Sequence, residues 1–297
     1  EIRLSLVGSE MCIRDSVYRN SGRAGWTTLR REAGVLAGAE GHSSESELSK
    51  SFRLLLHTDD PEQIGLLQRV AESGGNYTPR DQRDATRTQM LAYQLESDEM
   101  SSYSVLLQQL TIMPAVADEL GQLSAVLDAR SRVTARGIPG FDQFPLLLHA
   151  RYTRREILTG AGFHTASSRP ANREGVVTLK EQKVQLLLVT LDKSDGFHDR
   201  IAYRDYAVSQ SRFHWQTQNG AGPSTPAGRR YIESPANGWR YLLFVRETRD
   251  HAFLACGPVS IASRDHVTGQ QPMNITWTLS EPLTPHAFRA FSVIREI

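Results

Sequence analysis

The stretch 203–231, YRDYAVSQSRFHWQTQNGAGPSTPAGRRY, alternates bulky and polar side chains from Phe213 to Gln218 and then breaks into a loop of Gly, Pro, Ser and Thr. A period of two is the pattern of a β-strand, whose successive side chains lie on opposite faces. It predicts His214, Gln216 and Gln218 on one face and Phe213, Trp215 and Thr217 on the other. A row of uncharged hydrogen-bonding groups beside aromatics and arginines suits the reading of a polar ligand. The same pattern also describes a half-buried strand whose polar face is only solvated, and the alternation alone leaves both readings open.

The segments around this stretch read the same way. Strands are predicted over 175–179, 184–191, 203–208, 213–218, 239–247, 253–261 and 273–279, with a turn at 192–196. Thr153 and Glu156 have the spacing of a capping box and open one helix that ends at Gly160 or Gly162. Residues 151–297 are therefore expected to form a β-rich, barrel-like domain with one leading helix, within an α+β fold class.

Upstream the periodicity changes to that of helices. Trp26, Leu29 and Ala33 recur at helical spacing, and Asp60 before Pro61 signals a helix start, with Gly74-Gly75 as its stop. Asp59 and Asp60 read as capping groups and not as a catalytic pair. Residues 80–129 carry further apolar helical repeats interrupted at Pro114, with Glu119 and Asp128 assigned to a solvated face. Residues 17–135 thus form a predicted helical connector module. Residues 136–150, opening RGIPGFDQFP, read as a linker or the edge of a domain. The first sixteen residues, EIRLSLVGSEMCIRDS, resemble a translated sequencing adapter and lack the basic start and small-residue cleavage site of a signal peptide. On that reading Cys12 is not native and the natural protein extends further towards its N-terminus.

Composition narrows the function classes. The chain has 297 residues, 39% hydrophobic and 23% charged, which describes a globular protein with a substantial core. A net charge of +1 provides no global attraction to nucleic acid, so an anion site must be local. Arginines do cluster locally, as Arg151-Arg154-Arg155, Arg229-Arg230 and Arg246-Arg249. No apolar run spans a membrane, and Cys12 and Cys256 make neither a disulfide framework nor a zinc pattern, so a cytoplasmic setting is expected.

Catalytic motifs are missing from the sequence. It holds no phosphate-binding GxxxxGK[ST] loop, no GxGxxG after a strand, and no GxSxG, HExxH or paired CxxC. Glu181-Gln182-Lys183 before a strand would suit a metal-dependent nuclease only with an upstream carboxylate, and the nearest aspartate is Asp142, across the linker. His214 acting as a base would need an orienting acid such as Asp205 or Glu247. Cys256 reads as a buried, inert thiol. No catalytic residue and no metal ligand is assigned.

From Tyr152 onward an ordered series of motifs resembles a known family. The motifs are YTRREIL (152–158), EGV (174–176), LVTLDKS (188–194), YRDYAV (203–208), FHWQTQN (213–219), GRRYI (228–232), LFVRE (243–247), GPV (257–259) and PMNITW (272–277). They are similar to the C-terminal domain of unknown function 3427 of bacterial superfamily II, DEAD/DEAH-like, helicases. Thr217, in place of serine, and Cys256, in place of a leucine or an aromatic, depart from that pattern. Residues 26–31 and 56–61 also resemble the helical region that precedes the domain in those proteins.

The resemblance implies an accessory fragment of a DNA helicase-type protein in a phage-defence or restriction-like system. ATP and Mg would belong to a helicase core elsewhere in the full-length chain, and the expected partners are DNA and that core. On this reading a pocket built from Tyr203, Asp205, Tyr206, His214, Trp215, Gln216, Gln218, Asn219 and Tyr231 grips DNA, with a modified or flipped base among the candidate ligands. Arg212, Arg229, Arg230 and Arg246 would take phosphates. The alternatives are a structural domain that docks on the helicase core, and a nuclease in its own right.

Overall fold

A computed structural model describes residues 25–36, 44–95, 102–191 and 205–292. The adapter-like segment 1–16, the turn expected at 192–196 and Tyr203 lie outside these residues. The described residues fall into two compact units, one drawn from 1–135, 143–145 and 155–170, the other from 136–142, 146–154 and 171–297. Among the described residues no helix is long and apolar enough to cross a membrane.

The first unit is helical. Its elements are α1 (Trp26–Glu32), α2 (Glu45–Ser51), a short 3-10 turn (Phe52–Leu55), α3 (Pro61–Glu72), α4 (Gln82–Leu95), α5 (Tyr103–Ile112) and α6 (Pro114–Arg130). Asp60 accepts the backbone N–H groups of Glu62 and Gln63 at 2.8 and 3.1 Å, satisfying donors that the first turn cannot pair internally. Gly75 follows α3 with φ +85°, and a Cβ there would sit 2.5 Å from the Leu107 carbonyl oxygen, so both backbone conformation and space require glycine. Ile64, Leu67, Val70, Leu106, Leu110 and Leu120 are among the buried side chains of the core.

Glu119 does not lie on a solvated face. It is 1% exposed, and its carboxylate accepts the backbone N–H groups of Trp26 and Thr27 at 3.0 and 2.9 Å and the Ser49 hydroxyl at 2.5 Å. It therefore caps α1 from a distant helix, and these donors satisfy a charge that burial alone would penalise.

Two further buried carboxylates give the helical unit a pH signature. His57 Nε2 lies 2.7 Å from Glu156 Oε2. Burial opposes charging of the imidazole, but the Glu156 carboxylate overcomes it through charge and hydrogen bonding, and the pKa is raised. A folded pKa above the unfolded value of about 6.5 contributes stability below that value, and the contribution is lost as pH rises through the folded pKa. Asp84 runs the other way. Burial opposes its ionisation, yet the Tyr77 hydroxyl and Arg80 hold it at about 2. Its contribution is complete above the ordinary aspartate value of about 3.9 and is lost as pH falls through the depressed one. Thermal unfolding followed by far-UV circular dichroism is expected to peak between about pH 4 and 6.5. His57→Gln should flatten the alkaline side, and a wild-type profile that is already flat from about pH 6 to 9 would contradict the pairing.

The second unit is built on one sheet. Its strands are β1 (Arg151–Tyr152), β2 (Val176–Leu179), β3 (Val184–Thr190), β4 (Tyr206–Ser209), β5 (Arg212–Gln216), β6 (Arg240–Arg246), β7 (Phe253–Ser260), β8 (Val267–Thr268) and β9 (Asn274–Leu279). Helix α7 (Arg154–Gly160) follows β1 and from residue 155 on belongs to the first unit, while α8 (Pro226–Ile232) follows β5 and α9 (Pro285–Phe291) comes after β9. The order is β2-β3-β6-β7-β9-β5-β4, with β1 added on β7 and β8 on β9. β3 and β6 pair in parallel and every other pair is antiparallel, which makes the fold α+β as expected.

The sheet is not the expected barrel. Closure requires the first and last strands to pair, and among the described residues β2 and β4 remain as edges. β4 has four residues and its register shifts between Ala207 and Ser209, an irregularity that ends a ladder and turns an edge away. The alternation on β5 is as expected: Phe213, Trp215 and Thr217 are buried, His214 and Gln216 half-buried, and Gln218 exposed. The buried face joins an aromatic centre in which Trp277 lies 6.1 Å from Trp215, 6.1 Å from Tyr231 and 4.9 Å from Tyr241, ring to ring.

Residues 136–150 are packed, which corrects their reading as a linker. Ile138, Phe141, Phe144 and Leu146 are at most 2% exposed. Leu148 N–H donates to Arg136 O, His149 N–H to Ala255 O, and Leu147 N–H to the Tyr152 hydroxyl, at 2.8, 2.8 and 2.7 Å. The Gly and Pro residues turn the chain, but the apolar side chains between them are anchors.

Candidate ligand cleft

The polar row on β5 ends at an opening in the second unit, and Thr217 explains why it points there. Its buried hydroxyl donates to Ala221 O at 3.1 Å and accepts Met273 N–H at 2.9 Å, while its own N–H reaches Met273 O at 2.9 Å. These bonds fix the turn after β5 and keep Gln216 and Gln218 on the open side. Asp205 Oδ1 accepts the Gln216 N–H at 2.8 Å. The two side-chain amides are held as well, Gln216 Nε2 by Asn274 Oδ1 at 3.3 Å and Gln218 Nε2 by Glu174 Oε2 at 3.4 Å.

The opposite wall is made of arginines. Arg154, at the start of α7, donates from Nε to Asn172 O at 3.2 Å and from Nη2 to Glu174 O at 2.6 Å, and also bonds Asn172 Oδ1. Arg246, the last residue of β6, donates to Thr190 Oγ1 at 2.9 Å across the parallel β3–β6 pair and to Arg249 O at 2.7 Å. Its guanidinium carbon lies 4.4 Å over the Phe253 ring, which suits a cation on an aromatic face. Arg173 and Arg249 stand exposed at the rim.

Together these residues bound a cleft of about 560 Å³. Its described lining holds four arginines and one aspartate, Asp205, whose carboxylate is already engaged by the Gln216 backbone. Neither Arg154 nor Arg246 forms an ion pair with a carboxylate among the described residues. Burial lowers the pKa of both guanidiniums. Arg246 lowers that of Arg154 further, and Arg249 that of Arg246, with Asp250 opposing the last effect. Arginine stays charged at neutral pH, so burial here encloses two cations in one cleft.

Of the residues singled out in the sequence, Asp205, Trp215, Gln216, Gln218, Asn219 and Arg246 line the cleft. Trp215 does so from within the core at 6% exposure, where its ring packs against Tyr231 and Trp277. The others lie elsewhere. Tyr206 and His214 stack on each other at 4.9 Å on β4 and β5. Arg212 is exposed at the start of β5, Arg229 donates to Ser224 O at 3.0 Å, and Arg230 sits 4.4 Å over the Trp239 ring. Tyr231 is 3% exposed, and burial pushes its hydroxyl pKa up. Tyr203 is outside the described residues, and Glu247 is exposed away from the lining.

Residues 146–291 match the family model described as a domain of unknown function (DUF3427). The chain carries that domain. Every described residue lining the cleft falls inside the DUF3427 match. A search of curated proteins finds no match.

Sequence reasoning missed Arg154, Arg173, Arg249 and Thr190 as site residues. Two of these lay in visible arginine clusters, 151–155 and 246–249, and the antiparallel pairing of β1 with β7, Tyr152 opposite Phe253, brings those two segments together. Among the described residues of the DUF3427 domain and the helical unit, no three His, Cys, Asp or Glu side chains are grouped to hold a metal. Cys256 is fully buried, and burial raises its thiol pKa, which keeps it protonated at neutral pH.

Proposed function

We propose that the DUF3427 domain binds nucleic acid, DNA in the first place, through this cleft. The observation that carries the reading is the Arg154–Arg246 wall: two partly buried guanidiniums, oriented by neutral acceptors and without a described counter-ion. A phosphate supplies the missing charge, and arginine forks match its geometry. The Gln216, Gln218 and Asn219 amides on the facing wall have donors and acceptors suited to a base edge. The resemblance to helicase-associated domains supports a setting beside an ATP- and Mg-dependent motor core, in a defence or restriction-like system.

The test is fluorescence anisotropy of the 297-residue chain with labelled oligonucleotides over a salt series. Affinity for a single strand should fall with salt at a log–log slope of about −2, the value for roughly three neutralised phosphates. Arg154→Gln and Arg246→Gln should each weaken binding by about tenfold or more, the worth of a charged hydrogen bond. Arg229→Gln, outside the cleft, should leave it unchanged. If no form of DNA binds, or if Arg229→Gln weakens binding as much as Arg246→Gln does, the cleft is not the DNA site.

A further inference from the structure

The size and charge of the cleft narrow the ligand beyond nucleic acid in general. At about 560 Å³ it falls within the 300–1,000 Å³ range of pockets that enclose small organic ligands, and it cannot admit a duplex. One nucleotide is the natural unit for such a space, with its phosphate on one wall and its base on the other.

The charge balance separates an internal nucleotide from a terminal one. An internal diester carries a single negative charge, whereas a terminal phosphomonoester carries about −1.5 to −2 at neutral pH and presents three acceptor oxygens. The described lining places four arginines against one aspartate that is already bonded to a backbone N–H. Arg154 commits Nε and Nη2 to carbonyl and amide oxygens, and Arg246 commits Nε and Nη1. The remaining nitrogen of each fork makes no hydrogen bond to a described residue. Two such donors, on guanidiniums that line the same cleft, match a doubly charged group better than a singly charged one.

We propose that the cleft receives the last nucleotide of a single strand, with its terminal phosphomonoester held by Arg154 and Arg246 and flanked by Arg173 and Arg249. This rests on the nucleic-acid reading above and assigns the site to strand ends. The Gln216 and Gln218 amides then face the base of that nucleotide, and the rest of the strand leaves over the exposed rim.

The experiment compares four probes on the full chain: a linear strand with a terminal phosphate, the same strand with hydroxyl ends, a circular strand of the same composition, and a deoxynucleoside monophosphate. The phosphorylated strand should bind at least about tenfold more tightly than the hydroxyl-ended or circular one, and the monophosphate should compete with it. Arg154→Gln should abolish the preference. If that variant does not fold, Arg173→Ala, at an exposed position, should still reduce it. Equal affinity for circular and phosphorylated strands would overturn the strand-end assignment and leave nucleic-acid binding in place. Binding of the monophosphate with no binding of any strand would make this a free-nucleotide site and overturn both readings. A chain that binds none of the four overturns both as well.

Discussion

Arg87→Ala is expected to destabilise the helical unit by about 3–5 kcal/mol, the cost of leaving a buried charge without its partner. Asp60 is fully buried, and its Oδ2 lies 2.7 Å from Arg87 Nη1, itself on a side chain only 3% exposed. Arg87 Nη2 reaches Glu62 Oε2 at the same distance, 2.7 Å. Asp60 simultaneously holds two N–H groups of the first turn of α3. Removing the arginine therefore strands a carboxylate at a helix start that can neither open to water nor lose its cap. A loss of that size is a large part of the 5–15 kcal/mol typical of a folded domain. Asp60→Asn keeps the capping oxygen, so the Asp60→Asn/Arg87→Met pair should cost less than the sum of the singles, by roughly 1–3 kcal/mol. Urea unfolding followed by far-UV circular dichroism gives all four corners of the cycle. An Arg87→Ala loss below about 1 kcal/mol would mean that the pair is in effect solvated.

The start of α3 was legible in the sequence because everything that defines it is local. Asp60, Pro61 and the closing glycines act on their own neighbours, so residue type and spacing suffice. Glu119 was not legible, since its partners Trp26 and Ser49 are 93 and 70 residues away and a charged residue in a helix shows nothing of them. The second unit divides in the same way. Alternation along 213–218 assigned each side chain to its face, because a strand's period is fixed by its backbone. Strand order is not a local property. That β9 lies between β7 and β5, and that β3 runs parallel to β6, follows from which edges meet in the folded sheet. Half of the cleft depends on that order. Arg154, Thr190 and Arg246 come from three separate segments, while the amide wall comes from one, so the amides were found and most of the arginines were not. The barrel failed for a related reason, since closure is a relation between β2 and β4 that neither strand's own sequence contains.

Trp215 and its neighbour Gln216 give the sharpest contrast between holding the domain together and touching a ligand. Trp215→Ala is expected to cost about 3–5 kcal/mol, the usual loss for a large aromatic truncated in a packed core. Its ring lies 5.5 Å from Tyr231 and 6.1 Å from Trp277, ring to ring, and the backbone on both sides is paired with β9. The cavity would open at the centre of the aromatic cluster, where no neighbouring chain is free to fill it. Gln216 is one residue away on the opposite face. Its N–H would still reach Asp205 after truncation, so Gln216→Ala should change stability by no more than about 0.5 kcal/mol. Its effect should fall on ligand affinity, through the lost amide. Thermal melts beside anisotropy titrations separate the two outcomes directly. If Trp215→Ala melts like the wild type and only binding suffers, then the ring is a stacking surface, and the division of β5 into a core face and a ligand face is wrong.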